Sequence, residues 1–400
     1  MTANLNIVAL SPSPWDGQWV NRQQLLSRLG KKHQVAYSMG AWSVWDRADP
    51  QFAAAAWAGR FDRKDDVAVD RPGRNVLRWP RVPTWDAWAI RLHARRLRAA
   101  FERRGLVVAY ICHPMYWPYV KALRPDFVVY HCYDLYENQP GWSPALDAAE
   151  RALLAAADLA FSPTTMLSDI LISKVSRPVR TLTNAADVQA IFSAVEQKVA
   201  IPVDLANIPA PRFGYVGSIH PQLDLAVVAE LAQRHPEWHF VLIGPEYKVA
   251  DLHALPAYQA CRQRPNVHLL GERHRSLIPA YLLHMNANLM FYKVGADSWT
   301  HVAYPLKLHE YLASGHPVIS VELPMIREFA PLVTFVTGLD NWEAALASAL
   351  SNPGDADMQA RRAVAAQHGW ETRVRELNAW LDELPQLRAQ RLARPVAAPA

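Results

Sequence analysis

The sequence predicts an α/β chain of two doubly wound, Rossmann-like domains, and three observations carry that expectation. Short runs of Val, Ile, Leu and Phe alternate with helical stretches along most of the 400 residues. Runs that are apolar throughout suit parallel strands buried on both faces, and their alternation with helices suits crossover connections. The runs form two series separated by Ile201–Pro211, a proline-rich segment with no helical period. A chain of this length also exceeds one ordinary domain.

The first series comprises Asn6–Ser11, Leu106–Cys112, Asp126–Cys132, Leu159–Ser162 and Val179–Leu182, with helical stretches such as Asn21–Leu29 and Leu146–Ala157 between them. The second comprises Phe213–Gly217, His239–Gly244, Val267–Leu270, Asn288–Tyr292, Val318–Val321 and Val333–Val336. This divides the chain into a first domain over 1–199, a linker over 200–211 and a second domain over 212–365. A C-terminal helix over 366–385 is expected to pack back on the first domain. The Arg/Ala/Pro-rich residues 386–400 are expected to be a flexible tail.

Composition narrows the functional classes. The chain is 51% hydrophobic and 20% charged, which is globular composition. No apolar run approaches the ~18 residues that span a bilayer. The first ten residues read as a strand, with no basic n-region or cleavage site. Three widely spaced cysteines, Cys112, Cys132 and Cys261, argue against a disulfide framework or a thiolate zinc site and suit a reducing cytoplasm. The net charge of +5 is concentrated: Arg71–Arg104 holds ten arginines against Asp86 and Glu102. Ten of the fifteen tryptophans lie within the first 142 residues, so unusual surface contacts are expected in the first domain.

The common nucleotide and hydrolase fingerprints are missing. There is no G-x-G-x-x-G, no G-x-x-x-x-G-K-[ST] and no G-x-S-x-G, which disfavours a Rossmann dehydrogenase, a P-loop NTPase and an α/β-hydrolase. Asp355-Ala-Asp357 imitates a metal-binding pair but reads as the start of a helix. The informative segment is Tyr304-Pro305-Leu306-Lys307-Leu308-His309-Glu310-Tyr311-Leu312-Ala313-Ser314-Gly315-His316-Pro317. Pro305 suits the first position of a helix and Gly315 its C-terminal end. A helix N-terminus attracts anions, and the dipole disfavours a lysine such as Lys307 in the first turn unless an anion sits there. Glu310, three residues on, has two readings. It either accepts hydrogen bonds from a ribose diol or forms a surface ion pair with Lys307.

This segment resembles the donor-binding helix of the GT-B nucleotide-sugar glycosyltransferases, nearest to the family 4-like polysaccharide enzymes with P-x-K-x-x-E-Y-[LM]-A-x-G-x-P-V. Phe213-Gly-Tyr-Val-Gly-Ser-Ile219, Phe240-Val-Leu-Ile-Gly-Pro245 and Asn266-Val-His-Leu-Leu-Gly-Glu-Arg273 are similar to other parts of that family's C-terminal domain. Val128–Asp134 and Ala157–Pro163 are similar to strand regions of its N-terminal domain. The resemblance implies two Rossmann-like domains facing a cleft, with donor on the second and acceptor on the first. It implies a nucleotide-diphosphate-sugar donor, a glycan or polyprenyl-linked glycan acceptor, and a role in surface or exopolysaccharide biosynthesis. Donor contacts would come from Gly217, Ser218, Glu272, Arg273, Tyr304, Pro305, Leu306, Lys307 and Glu310. Eight residues before Glu310, where many retaining members carry a second glutamate, this chain has Val302. A nucleotide-sugar epimerase on the same fold and a degenerate sugar-binding module are the alternatives.

The leaving diphosphate needs its charge offset, and Lys307 with the helix end can do that, so neither a metal nor another cofactor is expected. In an inverting reaction Asp134, after the strand ending at Cys132, is the candidate general base, and His113 occupies a similar place after Cys112. Each also reads as a structural loop residue, His113 more readily than Asp134. Trp15, Asp16, Gly17 and Gln18 form a loop after the first strand that can line the acceptor side, or plug the domain. Trp85 and Trp88 lead a helix on which Arg91, Arg95 and Arg98 share a face, while Trp85, Trp88, Ala89 and Leu92 line another and Arg96 interrupts its continuation. That pattern suits an anionic membrane surface or a solvated helix. The expected location is the cytoplasm, peripheral on the inner face of the cell membrane. Nucleic acid is not an expected partner, since no recognised motif accompanies the charge.

Overall fold

The computed structural model describes residues 4–17, 19–295, 299–351 and 354–393. They form two compact units. One comprises the described residues up to Thr183 together with those from Glu371 onward, and the other is Asn184–Trp370.

The first unit is built on β1 (Asn6–Leu10), β2 (Gln34–Ser38), β3 (Arg60–Lys64), β4 (Val67–Arg71), β5 (Val107–Ile111), β6 (Phe127–His131), β7 (Leu159–Ser162) and β8 (Arg180–Thr181). Their order is β3-β4-β2-β1-β5-β6-β7-β8, all parallel except the β3–β4 hairpin. β1, β5 and β6 are buried along their whole length, as their unbroken apolar sequences require. β2, β3 and β4 were not foreseen. β3, Arg-Phe-Asp-Arg-Lys, is a charged edge strand whose exposed side discourages pairing with another chain. It turns into β4 through Asp65 and Asp66, both at positive φ (50° and 64°), as a two-residue hairpin demands.

The second unit holds β9 (Arg212–Val216), β10 (His239–Ile243), β11 (Val267–Gly271), β12 (Ala287–Met290), β13 (Val318–Val321) and β14 (Val333–Val336). All are parallel, in the order β11-β10-β9-β12-β13-β14. The strand order therefore reverses between β9 and β12, and in the first sheet between β1 and β5. Ligands of open α/β sheets bind outside the carboxyl ends of strands at such reversals.

The boundaries differ from the sequence expectation. Residues 184–199 belong with the second unit: the helix Val188–Glu196 buries Val188 and Ile191 in that unit's core. The supposed linker also folds into it, through the short helix Val203–Ala206 and the buried Leu205 and Ile208. Its prolines mark turns, not a free connector. At the other end, the helix Trp370–Asp382 is followed by a second helix, Leu384–Ala393, so residues 386–393 are not a tail. Pro385 takes an early helical position, where its missing N–H costs nothing. From Glu371 onward these helices lie in the first unit, with Leu377, Leu381 and Leu384 buried. Polar contacts fasten them: Arg28–Glu371 (2.8 Å), Arg180–Glu383 (2.6 Å) and Arg391–Asp158 (2.8 Å). The remainder of the expected tail, 394–400, lies outside the described residues.

Candidate active site

The carboxyl ends of β9, β10 and β11 are each closed by a glycine: Gly217, Gly244 and Gly271, at φ of +144°, +150° and +71°. They are laced together by backbone, Gly217 N–H donating to Ile243 O (2.9 Å) and Gly244 N–H to Gly271 O (3.0 Å). A Cβ on Gly244 would overlap the Gly217 carbonyl, and one on Gly217 would come within 2.8 Å of Lys307 Nζ. Backbone without side chains thus lies open beside a lysine at the strand reversal, and positive φ keeps it glycine.

The lysine is brought there by the helix Lys307–Ser314. Tyr311, one turn along, accepts a hydrogen bond from Val216 N–H (2.8 Å) and so pins the helix to the end of β9. At the far end, Gly315 takes the left-handed conformation (φ +85°). Arg361 and Arg362 donate to the Gly315 and Ser314 carbonyls (3.2 and 2.9 Å), meeting the orphan acceptors there. The N-terminus has no side-chain cap. The helix begins two residues later than the sequence suggested: Pro305 precedes it, accepting from Leu308 N–H (3.2 Å), and Lys307 is its first residue.

Lys307 Nζ donates to Tyr292 Oη (2.9 Å) and lies 3.9 Å from the centre of the Tyr215 ring. No carboxylate lies within 4.0 Å of it among the described residues. Burial pushes the ammonium down to about 7, with Glu310 only partly opposing. Burial likewise lifts the Glu310 carboxyl to about 7, against the pull of Lys307 and with help from Asp187. The i,i+3 ion pair that their spacing permits is not formed among the described residues, so a cation and a carboxyl wait half-buried on one helix turn. His220 is held near 4 by burial, then by Lys307 and Lys248, so it is neutral at neutral pH. The Ser218 carbonyl accepts from Tyr215 Oη (2.9 Å).

Other expected donor residues are otherwise engaged. Tyr304 is buried, its hydroxyl on His309 Nε2 (2.8 Å) and its carbonyl accepting from Asn184 Nδ2 (2.7 Å). Pro305 is buried and Leu306 half-buried. Arg273 is committed to Asp204 (2.7 Å) and Tyr281 (3.1 Å), anchoring the short helix Val203–Ala206, while Glu272 is exposed on the loop after β11. Val302 is buried apolar packing. Asp355 and Asp357 lie in the first turn of the helix Asp355–Gln367. Among the described residues no three His, Cys, Asp or Glu side chains are grouped to hold a metal ion. Sequence reasoning missed Tyr215, Tyr292 and Lys248, and missed that Gly244 and Gly271 continue the pattern of Gly217. A glycine ending three successive apolar runs was the available signal.

In the first unit, β5 and β6 deliver His113 and Asp134 to the same end of the sheet. The Asp134 carboxyl is raised by burial, moderated by Leu135 N–H (2.8 Å), Gln139 Nε2 (2.6 Å) and the charge of Arg22. Burial holds His113 near 4, and its Nδ1 accepts from Met115 N–H (3.1 Å). The loop after β1 is less open than expected. Trp15 is 2% exposed, packed on Trp19 and Tyr37 with its indole N–H on Asp65 (3.2 Å), so it cannot stack on a sugar. Asp16 bonds Lys64 (2.6 Å) and Arg71 (2.5 Å). Burial raises its carboxyl, but those two partners bring it below the ordinary value. It ties the loop to the β3–β4 hairpin. Gly17 is exposed, and Gln18 lies outside the described residues.

The helix Pro83–Arg98 exposes Trp85, Trp88, Arg91, Leu92 and Arg95 on one continuous face. Ala89 is buried, and Arg96 turns inward to the buried Asp70. Arg98 bonds the Leu123 and Arg124 carbonyls (2.8 and 3.3 Å), which removes it from the free basic set. No described helix is long and apolar enough to cross a membrane.

Residues 210–352 match the family model described as Glycosyl transferases group 1. A Bacillus subtilis (strain 168) protein, TuaH, provisionally named as a teichuronic acid biosynthesis glycosyltransferase, is 28% identical over 269 residues. That match spans 63% of this chain and 66% of TuaH, just under two thirds of the relative's length. HepE from Anabaena, solved with UDP and glucose, superposes with a TM-score of 0.65 at 14% identity, covering 94% of this chain and 99% of that one. An E. coli trehalose-6-phosphate protein bound with UDP-2-fluoro glucose superposes with a TM-score of 0.67 at 12% identity, covering 94% and 99%. Sucrose-phosphate synthase from Thermosynechococcus elongatus gives 0.66 at 13% identity, covering 97% and 100%. The chain has the GT-B fold of these neighbours, and the part of it that matches the glycosyl transferases group 1 model lies in its second unit.

Proposed function

We propose that this protein transfers a sugar from a nucleotide-diphosphate-sugar to a glycan or lipid-linked glycan acceptor in surface polysaccharide assembly. The single observation that carries the reading is the Lys307 amine, half-buried with no acidic partner among the described residues, beside the bare backbone of Gly217 at the strand reversal. A desolvated ammonium at a helix start that has no side-chain cap suits a diphosphate. Glu310, one turn deeper and unpaired, suits the ribose diol. UDP and a UDP-sugar analogue in the HepE and E. coli neighbours support a nucleotide-sugar donor here, and TuaH supports a polysaccharide pathway.

In the proposed step, the bond between the anomeric carbon and the diphosphate oxygen breaks as the acceptor hydroxyl forms its own bond to that carbon. Lys307 and the uncapped helix end offset the charge growing on the leaving diphosphate, with no metal required. Asp134 takes the acceptor's proton, and its raised carboxyl brings it nearer the basicity that proton removal needs. His113, which burial holds near 4 and so keeps neutral at neutral pH, positions the acceptor hydroxyl. Trp85, Trp88, Arg91 and Arg95 hold the protein to the anionic membrane where a lipid-linked acceptor resides. The test is transfer of labelled sugar from a panel of nucleotide-sugars to membrane lipid extract. Acceptor-dependent label in the glycan, with release of the nucleoside diphosphate, is expected. Epimerised donor, or no turnover with any donor and extract, contradicts the reading.

A further inference from the structure

Several cations held within the first unit have carboxylate partners. Arg78 meets Asp86 (2.9 Å), Lys174 meets Glu150 (2.7 Å), Arg391 meets Asp158 (2.8 Å), and Arg96 meets Asp70. Arg22 is more buried than any of these, at 5% exposure, and among the described residues no carboxylate lies within 4.0 Å of it. Its Nη2 donates to Ser13 Oγ (2.8 Å), and its guanidinium lies 4.0 Å from the centre of the Tyr133 ring. Nε is enclosed with no partner at all. Nη1 makes no hydrogen bond among the described residues and, unlike Nε, is not fully enclosed. Arginine stays charged in proteins, so this cation cannot relieve its burial by losing a proton.

The surroundings add to the positive potential without neutralising it. Arg22 sits in the first turn of the ten-residue helix Asn21–Gly30, which has no acidic residue in that turn. The helix follows β1, beside the β1–β5 strand reversal, where ligands of such sheets bind. The groups about it are neutral: the Tyr133, Tyr37 and Tyr136 hydroxyls and the Cys112 thiol. Asp134, the proposed base, senses the charge of Arg22 but forms no ion pair with it. A buried guanidinium whose Nη1 makes no hydrogen bond among the described residues, beside tyrosine hydroxyls, fits an oxygen of a carboxylate or a phosphate.

We propose that Arg22 anchors an oxyanion site in the first unit, which takes a carboxylate or phosphate of the acceptor. This deepens the transferase reading, on which its assignment to the acceptor rests: the acceptor is acidic. Calorimetry on the full chain tests it with glucuronic acid, glucose 1-phosphate and glucose as probes and UDP, GDP and dTDP in a separate arm. Wild type is expected to bind one or both acidic probes and not glucose, which tells a sugar carboxylate from a phosphate. Arg22→Gln is expected to weaken the acidic probe at least ~10-fold with nucleotide affinity unchanged, and Arg22→Lys to lose less. Should Arg22→Gln fail to fold, the arginine Nε resonance of wild type absent from the Arg22→Lys spectrum must shift on adding the acidic probe.

Equal binding of glucose and the acidic probes by wild type, an acidic probe held as tightly by Arg22→Gln, or an Nε resonance that stays still overturns the site. If Arg22→Gln instead weakens nucleotide and leaves the acidic probe untouched, the site serves the donor's diphosphate and the acceptor proposal falls. The nucleotide arm reports separately on the transferase reading: no binding of any nucleotide would sink that reading, while the acid-sugar arms still decide whether Arg22 is an oxyanion site.

Discussion

Replacing Lys307 with methionine separates stability from binding in a way few substitutions can. The amine has one hydrogen bond, to Tyr292 (2.9 Å), and one ring contact, with Tyr215 at 3.9 Å, but no carboxylate within ion-pair distance among the described residues. Removing a desolvated charge relieves a penalty, while losing the hydrogen bond and the cation–π contact costs about 1–2 kcal/mol. The two nearly cancel, so the melting temperature should move by only a few degrees. Nucleoside diphosphate binding should suffer much more, since a charged hydrogen bond contributes about 1.5–3 kcal/mol, roughly ten- to a hundredfold in affinity. The pH dependence adds a second signature. The free amine titrates near 7, and a bound diphosphate raises that value, so binding takes up a proton. Wild-type affinity should therefore fall as pH rises above about 7, by up to ~10-fold per unit, and the methionine variant should lack this component. Calorimetry in two buffers of different ionisation enthalpy reads both the affinity and the proton count. A methionine variant that binds as tightly as wild type, or a wild type that takes up no proton between about pH 7 and about pH 8.5, would refute the assignment of Lys307 to the diphosphate.

The remaining predictions are independent of that one. Glu310→Ala should weaken nucleotide about tenfold or more and Glu310→Gln less, since the amide oxygen still accepts a hydrogen bond; equal affinity in all three proteins removes Glu310 from the ribose. Burial lifts Glu310 from 4.5 to about 7, so its contribution to folded-state stability is full below about 4.5 and is lost as pH rises through 7. Glu310→Gln should then gain on wild type in melts between about pH 5 and about pH 8, and parallel curves would contradict this. Asp134→Asn should lower turnover by about 10²–10⁴-fold with nucleotide affinity intact, and a fully active variant would exclude Asp134 as the base. Turnover should survive EDTA; abolition by chelator with rescue by magnesium or manganese would overturn the metal-free step. Wild type should co-sediment with anionic vesicles at low salt and Arg91→Glu/Arg95→Glu should not, each arginine contributing about 1 kcal/mol. Arg98→Glu should matter less because its guanidinium is spent on carbonyls, and equal loss from all three positions would contradict the exposed face described above.

Much of the fold was legible because buried parallel strands leave an unambiguous mark. β1, β5, β6 and the strands of the second sheet are apolar runs with little else to be. β3 and β4 were not legible: Arg-Phe-Asp-Arg-Lys has no buried face to signal a strand, and pairing across the Asp65–Asp66 turn holds it in the sheet. The unit boundary was misplaced because prolines near Ile201–Pro211 signal turns, and nothing local tells a turn within a core from a linker. Only the burial of Val188, Ile191, Leu205 and Ile208 in one core does. In the candidate site, Lys307 and Glu310 stood out because a lysine opening a helix is a local conflict. The roles of Trp15, Asp16, Arg98 and Arg273 stayed open in the sequence because their partners, Asp65, Lys64, the Leu123 carbonyl and Asp204, are remote along the chain. Arg22 escaped notice for the same reason: its lack of a carboxylate partner is visible only once the neighbours are in place.

The most direct test of the central claim is a crystal structure with whichever nucleoside diphosphate binds most tightly. Its phosphates should meet Lys307 Nζ at about 2.7–3.0 Å beside the Gly217 backbone, with a ribose hydroxyl on the Glu310 carboxylate. A nucleotide bound elsewhere, with Lys307 still on Tyr292 and Glu310 still unengaged, would contradict the claim that this strand reversal is the donor site.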